Sequence, residues 1–172
     1  MRLPPLLLGV SLCFLAVPST HAQAYPTRVT PRSNPALEQF RSLAGDWQGK
    51  DSRGNEVHLS YEALGSGVVM ERLQPVGQAG MLTMYSLDGD HIVAIHFCSA
   101  GNQPVLKTGP LPAATGRYDF TLERIYGQNT PDELHMVELV VTITDKDHFT
   151  QDWTNLSQGK RSTNTITYAR KK

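Results

Sequence analysis

Gly45-Asp46-Trp47 marks the point where a short helical pattern gives way to sustained period-two alternation, and this junction limits the fold more than any other feature. Upstream, Asn34 suits a helix N-cap, Pro35 suits the first turn, and Leu37, Phe40 and Leu43 recur at helical spacing. Downstream, segments 56–63, 67–73, 81–87, 91–98, 116–125, 134–144, 148–154 and 163–169 read as strands separated by turn residues. Segment 101–112 carries Gly101, Gly109, Pro104, Pro110 and Pro112, so it is expected to be mostly loop with a short edge strand. One helix followed by nine or ten short strands predicts an all-β barrel or sandwich. Closure into a single antiparallel barrel is preferred because it leaves no unpaired edge.

The barrel segment is expected to be residues 34–172. Residues 1–24 have the layout of a secretory signal: Arg2, an apolar stretch from Leu6 to Val17, and the small-x-small site Ala22-Gln23-Ala24. The apolar stretch is short for a membrane span. Residues 25–33, rich in Pro, Thr and Arg, read as a flexible leader. The mature chain is therefore expected to be exported, periplasmic or extracellular, and not an integral membrane protein.

Charge argues against several partners. The 16 basic residues match the 16 acidic ones, and losing Arg2 with the signal leaves 15 basic. There is no basic stripe for nucleic acid and no acidic block for storing cations. Of the two cysteines, Cys13 lies in the signal, so Cys98 has no partner within the mature chain. The fold must be held by its core rather than by disulfides.

The Asp88-Gly89 dipeptide between alternating segments predicts a two-residue hairpin turn. That register pairs Leu87 with Asp90, Tyr85 with Ile92, Thr83 with Ala94 and Met81 with His96. One face carries Met81, Thr83, Tyr85, Ile92, Ala94, His96 and Cys98; the other carries Leu82, Met84, Val93, Ile95 and Phe97. The first face, apolar with a phenol, an imidazole and a thiol, has the character of a ligand cavity. The second reads as plain hydrophobic core, which requires cover from the N-terminal helix or from a second copy of the chain. A homodimer is one expectation from this pattern.

His96 and Cys98, two apart on one strand, project together with backbones about 7 Å apart. This spacing suits two ligands on a metal better than a direct nucleophile–base contact. A third ligand would have to come from His58, Glu71 or Met81. The simpler role for His96 and Cys98 is to line the cavity. Glu71 lies among Val68, Val69, Met70 and Leu73, a setting a carboxylate tolerates only when paired or turned to solvent; a solvent-facing edge position is the simpler reading. His135 and His148 stand at strand starts and are expected in solvent. Trp47 reads as a barrel plug, with Arg170 at the end of the last strand available for a cation–π contact.

The helix followed by Leu43, Gly45, Trp47 and Gly49 in a Leu-x-Gly-x-Trp-x-Gly pattern resembles the start of lipocalin-like (calycin) barrels. Together with Gly89-Asp90-His91, His96-Phe97-Cys98 and Gly101-Asn102-Gln103-Pro104, it is similar to a family of small bacterial barrels of unknown function. The resemblance runs from about Asn34 onward and implies the fold. Nitrobindin, a haem-binding barrel, shares the Gly-x-Trp start, and its proximal histidine lies near the C-terminus. Residues 163–172 contain no histidine, so that ligand is not carried over; haem would need His96 or another histidine.

The expected function is non-catalytic binding of a small, mainly apolar ligand inside the barrel, with no cofactor. Tyr85, His96, Cys98 and Glu71 would contact the ligand, with Asn102 and Gln103 near the mouth. The alternatives are a haem- or metal-binding barrel using His96 and Cys98, and an enzyme using His96 as acid–base with Glu71 or Tyr85.

Overall fold

The computed structural model describes residues 34–65, 67–111 and 114–172; the expected signal and leader lie outside the described residues. A helix, α1 (Pro35–Ser42), precedes ten strands: β1 (Gly45–Asp51), β2 (Glu56–Leu64), β3 (Val68–Pro75), β4 (Met81–Asp88), β5 (His91–Phe97), β6 (Gln103–Thr108), β7 (Arg117–Tyr126), β8 (His135–Ile143), β9 (His148–Ser157) and β10 (Lys160–Arg170). Each strand pairs antiparallel with the next, and β10 pairs with β1 to close the barrel. The expected all-β barrel behind a short helix is what the chain forms. Among the described residues no helix is long and apolar enough to cross a membrane.

The helix starts as its sequence dictates. Asn34 Oδ1 accepts the Leu37 amide at 2.8 Å, and Pro35 occupies the first turn, where no amide hydrogen is needed. Its apolar face turns into the barrel rather than onto the outside of β4 and β5. Phe40 packs against Tyr85 and Tyr118 with ring centroids 4.8 and 4.9 Å apart, and against Phe120 at 6.0 Å. The helix thus plugs one end of the barrel. The expected cover for the outer face of the hairpin is therefore not the helix. Leu82, Met84, Val93 and Ile95 are half-buried there and Phe97 is 46% exposed, so this face is barrel exterior, not core.

The same end is fastened by Trp47 and Arg170, direct partners across β1 and β10. The guanidinium lies 4.2 Å from the indole centroid, the expected cation–π contact. It also donates to the carbonyls of Ala44 at 2.8 Å and Ser42 at 3.1 Å, while the indole Nε1–H donates to Leu43 O at 2.8 Å. These bonds satisfy carbonyls at the helix end that have no partner of their own. Gly49 has a steric reason. A Cβ there would come within 2.5 Å of the Tyr168 ring, which occupies the space across β1 and β10.

Two expectations from the sequence change. Segment 103–108 is not an edge: β6 pairs with β5 on one side and β7 on the other, and Pro104, Val105 and Leu106 are buried. Pro104 lies just past the last β5–β6 pair, Ile95 with Val105, and the register shift between Val105 and Leu106 leaves Glu123 of β7 as the extra residue. The β4–β5 turn is Gly89-Asp90, one residue later than expected, with Asp88 facing His91. Gly89 takes φ 63° and Asp90 stays outside the positive-φ region, the pattern of a turn whose first position demands glycine. Within-strand parity survives, but partners move by two: Tyr85 faces Ala94 and Thr83 faces His96.

Candidate functional site

At the end opposite the helix, the mouth of the barrel holds a cavity of about 120 Å³. Its walls are Val57, Leu73, Pro75, Met81, Trp153 and Ile166, inward-facing residues of β2, β3, β4, β9 and β10. Asp51, Arg53, Asn55, Gln78 and Asn164 form a polar rim. Arg53 and Asp51 are 3.5 Å apart as an ion pair; the Asn55 side-chain amide donates to Asp51 Oδ2 at 3.0 Å and the Arg53 and Asn55 backbone amides donate to Oδ1, bonds that hold the Asp51 carboxyl below its usual range, the Asn55 side chain first.

Beneath the mouth, buried aromatic side chains pack together inside the barrel, Tyr61, Tyr85, Phe120 and Phe149 among them. Glu71 is fully buried, in contrast to the expected solvent-facing edge position. Its neighbours on β3 alternate, so the inward parity that buries Val69 and Leu73 buries Glu71 as well. Four donors meet its carboxylate. Tyr61 Oη donates to Oε2 at 2.5 Å, Tyr85 Oη at 2.8 Å and Gln151 Nε2 at 2.7 Å, while Thr83 Oγ1 lies 3.2 Å from Oε1. Burial raises the Glu71 pKa and these hydrogen bonds oppose that rise. Burial first, then the Glu71 charge, pushes the Tyr61 and Tyr85 hydroxyls well above their ordinary range, so both remain donors.

Two arms run from this carboxylate toward the mouth. Through Gln151, whose Oε1 accepts Trp153 Nε1–H at 3.1 Å, it orients the indole that lines the cavity. Through Thr83, whose Oγ1 lies 3.0 Å from His96 Nδ1, it reaches the imidazole. The two arms meet where the His96 and Trp153 rings contact edge-on, centroids 5.0 Å apart. His96 is buried, and that burial lowers its pKa to about 4, so the ring is neutral at physiological pH.

Of the six residues singled out from the sequence, the structure joins Glu71, Tyr85 and His96 in one network and separates Cys98, Asn102 and Gln103 from it. Tyr85 has no exposure and is a core donor against Phe40, not the lining of an open cavity. Cys98 lies beyond the end of β5 in a turn closed by Gly101 N–H to Cys98 O at 3.0 Å. Strand parity consequently does not carry it alongside His96, and its Sγ accepts the Ala100 amide at 3.5 Å. Asn102 is buried and donates to Leu134 O at 2.8 Å, tying the β5–β6 turn to the β7–β8 loop. Gln103 Nε2 donates to Gly101 O. Neither lines the mouth cavity. His135, expected in solvent, is buried with Nδ1 2.7 Å from Glu133 O; His148 is exposed as expected. Among the described residues no group of three His, Cys, Asp or Glu side chains could hold a metal.

Sequence reasoning passed over Tyr61, Gln151 and Trp153. The signal was present in β9, where Phe149, Gln151 and Trp153 share one parity. A lone amide between two inward aromatics must be bonded inside the barrel.

No protein-family profile matches the chain, and no curated protein matches it. Two solved structures are similar in shape. A redesigned β-barrel, b11L5F_LGL, aligns with TM-score 0.41 and 12% identity over 80% of this chain and 96% of its own. EF1p2_mFAP2b bound to DFHBI aligns with TM-score 0.38 and 11% identity over 81% of this chain and 100% of its own.

Proposed function

We propose that the protein is a small-molecule-binding barrel of lipocalin-like type whose ligand enters the mouth and lies against Trp153. One observation carries this reading: the mouth cavity has walls of Val57, Leu73, Pro75, Met81, Trp153 and Ile166, and its indole wall is fixed from below by a buried hydrogen-bond network. Apolar walls supply the affinity and the polar rim sets orientation. The volume of about 120 Å³ limits the buried part of the ligand to a single small ring, since an apolar cavity of about 150 Å³ accepts benzene. This replaces the expectation of a deep internal cavity around Tyr85.

The signal-like segment with Arg2, the apolar stretch and Ala22-Gln23-Ala24 supports an exported setting. Mass spectrometry of the secreted chain should give a mature protein beginning near Tyr25.

Binding is tested by equilibrium titration of single-ring aromatics against the wild type and Met81→Arg, which places a charged side chain across the mouth. Saturable binding lost in the variant supports the reading. Equal binding to both proteins rejects it.

A further inference from the structure

We propose that the outer face of β3, β4 and β5 carries a second binding site, separate from the mouth, for a medium-chain fatty acid as its carboxylate. The head group lies at Arg72 and the chain lies across Leu82 and Phe97.

Strand parity makes this side of the barrel unlike the rest of its outside. The outward positions of β2 are Glu56, His58, Ser60 and Glu62, and those of β7 begin with Arg117, Asp119 and Thr121. On β4 and β5 the same parity brings out Leu82, Met84, Val93, Ile95 and Phe97 as one apolar block. Such a block on a barrel exterior marks a binding surface.

A cation stands at its edge. Phe97 pairs with Leu82 and Leu82 pairs with Arg72, so the three form a row across β5, β4 and β3. At the usual strand spacing, the backbones of Phe97 and Arg72 are about 10 Å apart. All three residues line one groove of about 290 Å³, together with Met70 and Gln74. Arg72 is exposed and makes no hydrogen bond or ion pair among the described residues. Its partner on β2 is Ser60, which separates it from Asp46 on β1, and Glu62 faces Met70 rather than Arg72. On its other side Arg72 borders a groove that it shares with His58 and Lys171, where Asp46 supplies the carboxylate.

The groove therefore has an apolar floor and an unpaired guanidinium at one end. A guanidinium matches a carboxylate with two parallel N–H donors, and Leu82, Phe97 and Met70 match a hydrocarbon chain. A second copy of this chain would present the same apolar block and no such partner for Arg72. Size sets the chain length. An apolar cavity of about 150 Å³ holds the six carbons of benzene, so the groove suits about twelve non-hydrogen atoms, the number in decanoate.

The test titrates decanoate and 1-decanol, both below micelle-forming concentration and at neutral pH, against the wild type, Arg72→Gln and Phe97→Ala. Methyl NMR of Leu82 and Met70 reads the groove and the Trp153 indole reads the mouth; Met81 lines both and reports on neither. In the wild type, decanoate should shift Leu82 and Met70 saturably and leave the indole unmoved. Arg72→Gln should weaken decanoate about fivefold and leave decanol unchanged, while Phe97→Ala should weaken both. Equal effects of Arg72→Gln on the two ligands overturn the proposal, as does the absence of any saturable shift. Decanoate shifts at Trp153 alone overturn it while leaving the mouth as a binding site. Shifts at Leu82 that follow protein concentration without ligand place a second copy on this face and overturn it too.

Discussion

The Trp153 indole donates its N–H to Gln151 Oε1 at 3.1 Å, so the wall of the barrel mouth is positioned by a residue of the buried core. Gln151 in turn donates to Glu71 Oε2 at 2.7 Å and to Tyr61 Oη at 3.1 Å. Substituting Gln151→Leu leaves the indole N–H without its acceptor and removes one donor from a buried carboxylate. The expected cost is about 2–4 kcal/mol. Urea denaturation checks the magnitude, and the Trp fluorescence should broaden as the indole loses its fixed orientation.

Glu71 should be harder to replace by a hydrocarbon than by its amide. Glu71→Leu strands the donors of Tyr61, Tyr85, Thr83 and Gln151 in the core, with an expected loss of about 3–5 kcal/mol. Glu71→Gln keeps an acceptor oxygen for some of them and should lose less. Denaturant midpoints of the two variants give the order directly.

His96 makes folding sensitive to mild acid. Its folded pKa of about 4 lies below the 6.5 of an unperturbed ring, so the unfolded chain binds the extra proton first. The stability involved is complete above about pH 6.5 and is lost as pH falls toward 4, about 3 kcal/mol in all. Glu71 has the opposite sign. Burial raises its folded pKa, so its contribution is complete at low pH and declines as pH rises above 4.5 through the folded value. The groups around His96 are Thr83, Trp153 and, beyond Thr83, Glu71. Stability measured from pH 7 to 4 should therefore fall more steeply in the wild type than in His96→Gln.

Gly49→Ala should destabilise the barrel by about 1–3 kcal/mol, because the added methyl meets both the Tyr168 ring and the Thr167 carbonyl across β10. Thermal unfolding of the single variant checks this. Tyr168→Phe should cost little by comparison, since its buried hydroxyl has no hydrogen-bond partner among the described residues.

Much of the fold was legible in sequence because period-two alternation and a capped helix are local signals. Asn34, Pro35, Trp47 and the strand parities of β4 and β5 read correctly for that reason. The turn register did not, because Asp88-Gly89 and Gly89-Asp90 are both acceptable turn pairs until the strands are paired. That shift of two partners is what brings Thr83 opposite His96. The site was legible only in part. Glu71, Tyr85 and His96 stood out as polar groups in apolar strands. Their convergence with Gln151 and Tyr61 depends on how ten strands tilt around a closed barrel, and no spacing in the chain encodes it. Cys98 misled because alternation was extended one residue beyond the end of a strand.

If ligand sits in the mouth against Trp153, above the Glu71 network, methyl and indole NMR of the wild type during titration with para-fluorophenol tests that placement most directly. Saturable shifts confined to Val57, Leu73, Met81, Ile166 and the Trp153 indole are the predicted result. Shifts confined to the outer face of β4 and β5 around Met84 and Phe97, or no saturable shift at all, would contradict it.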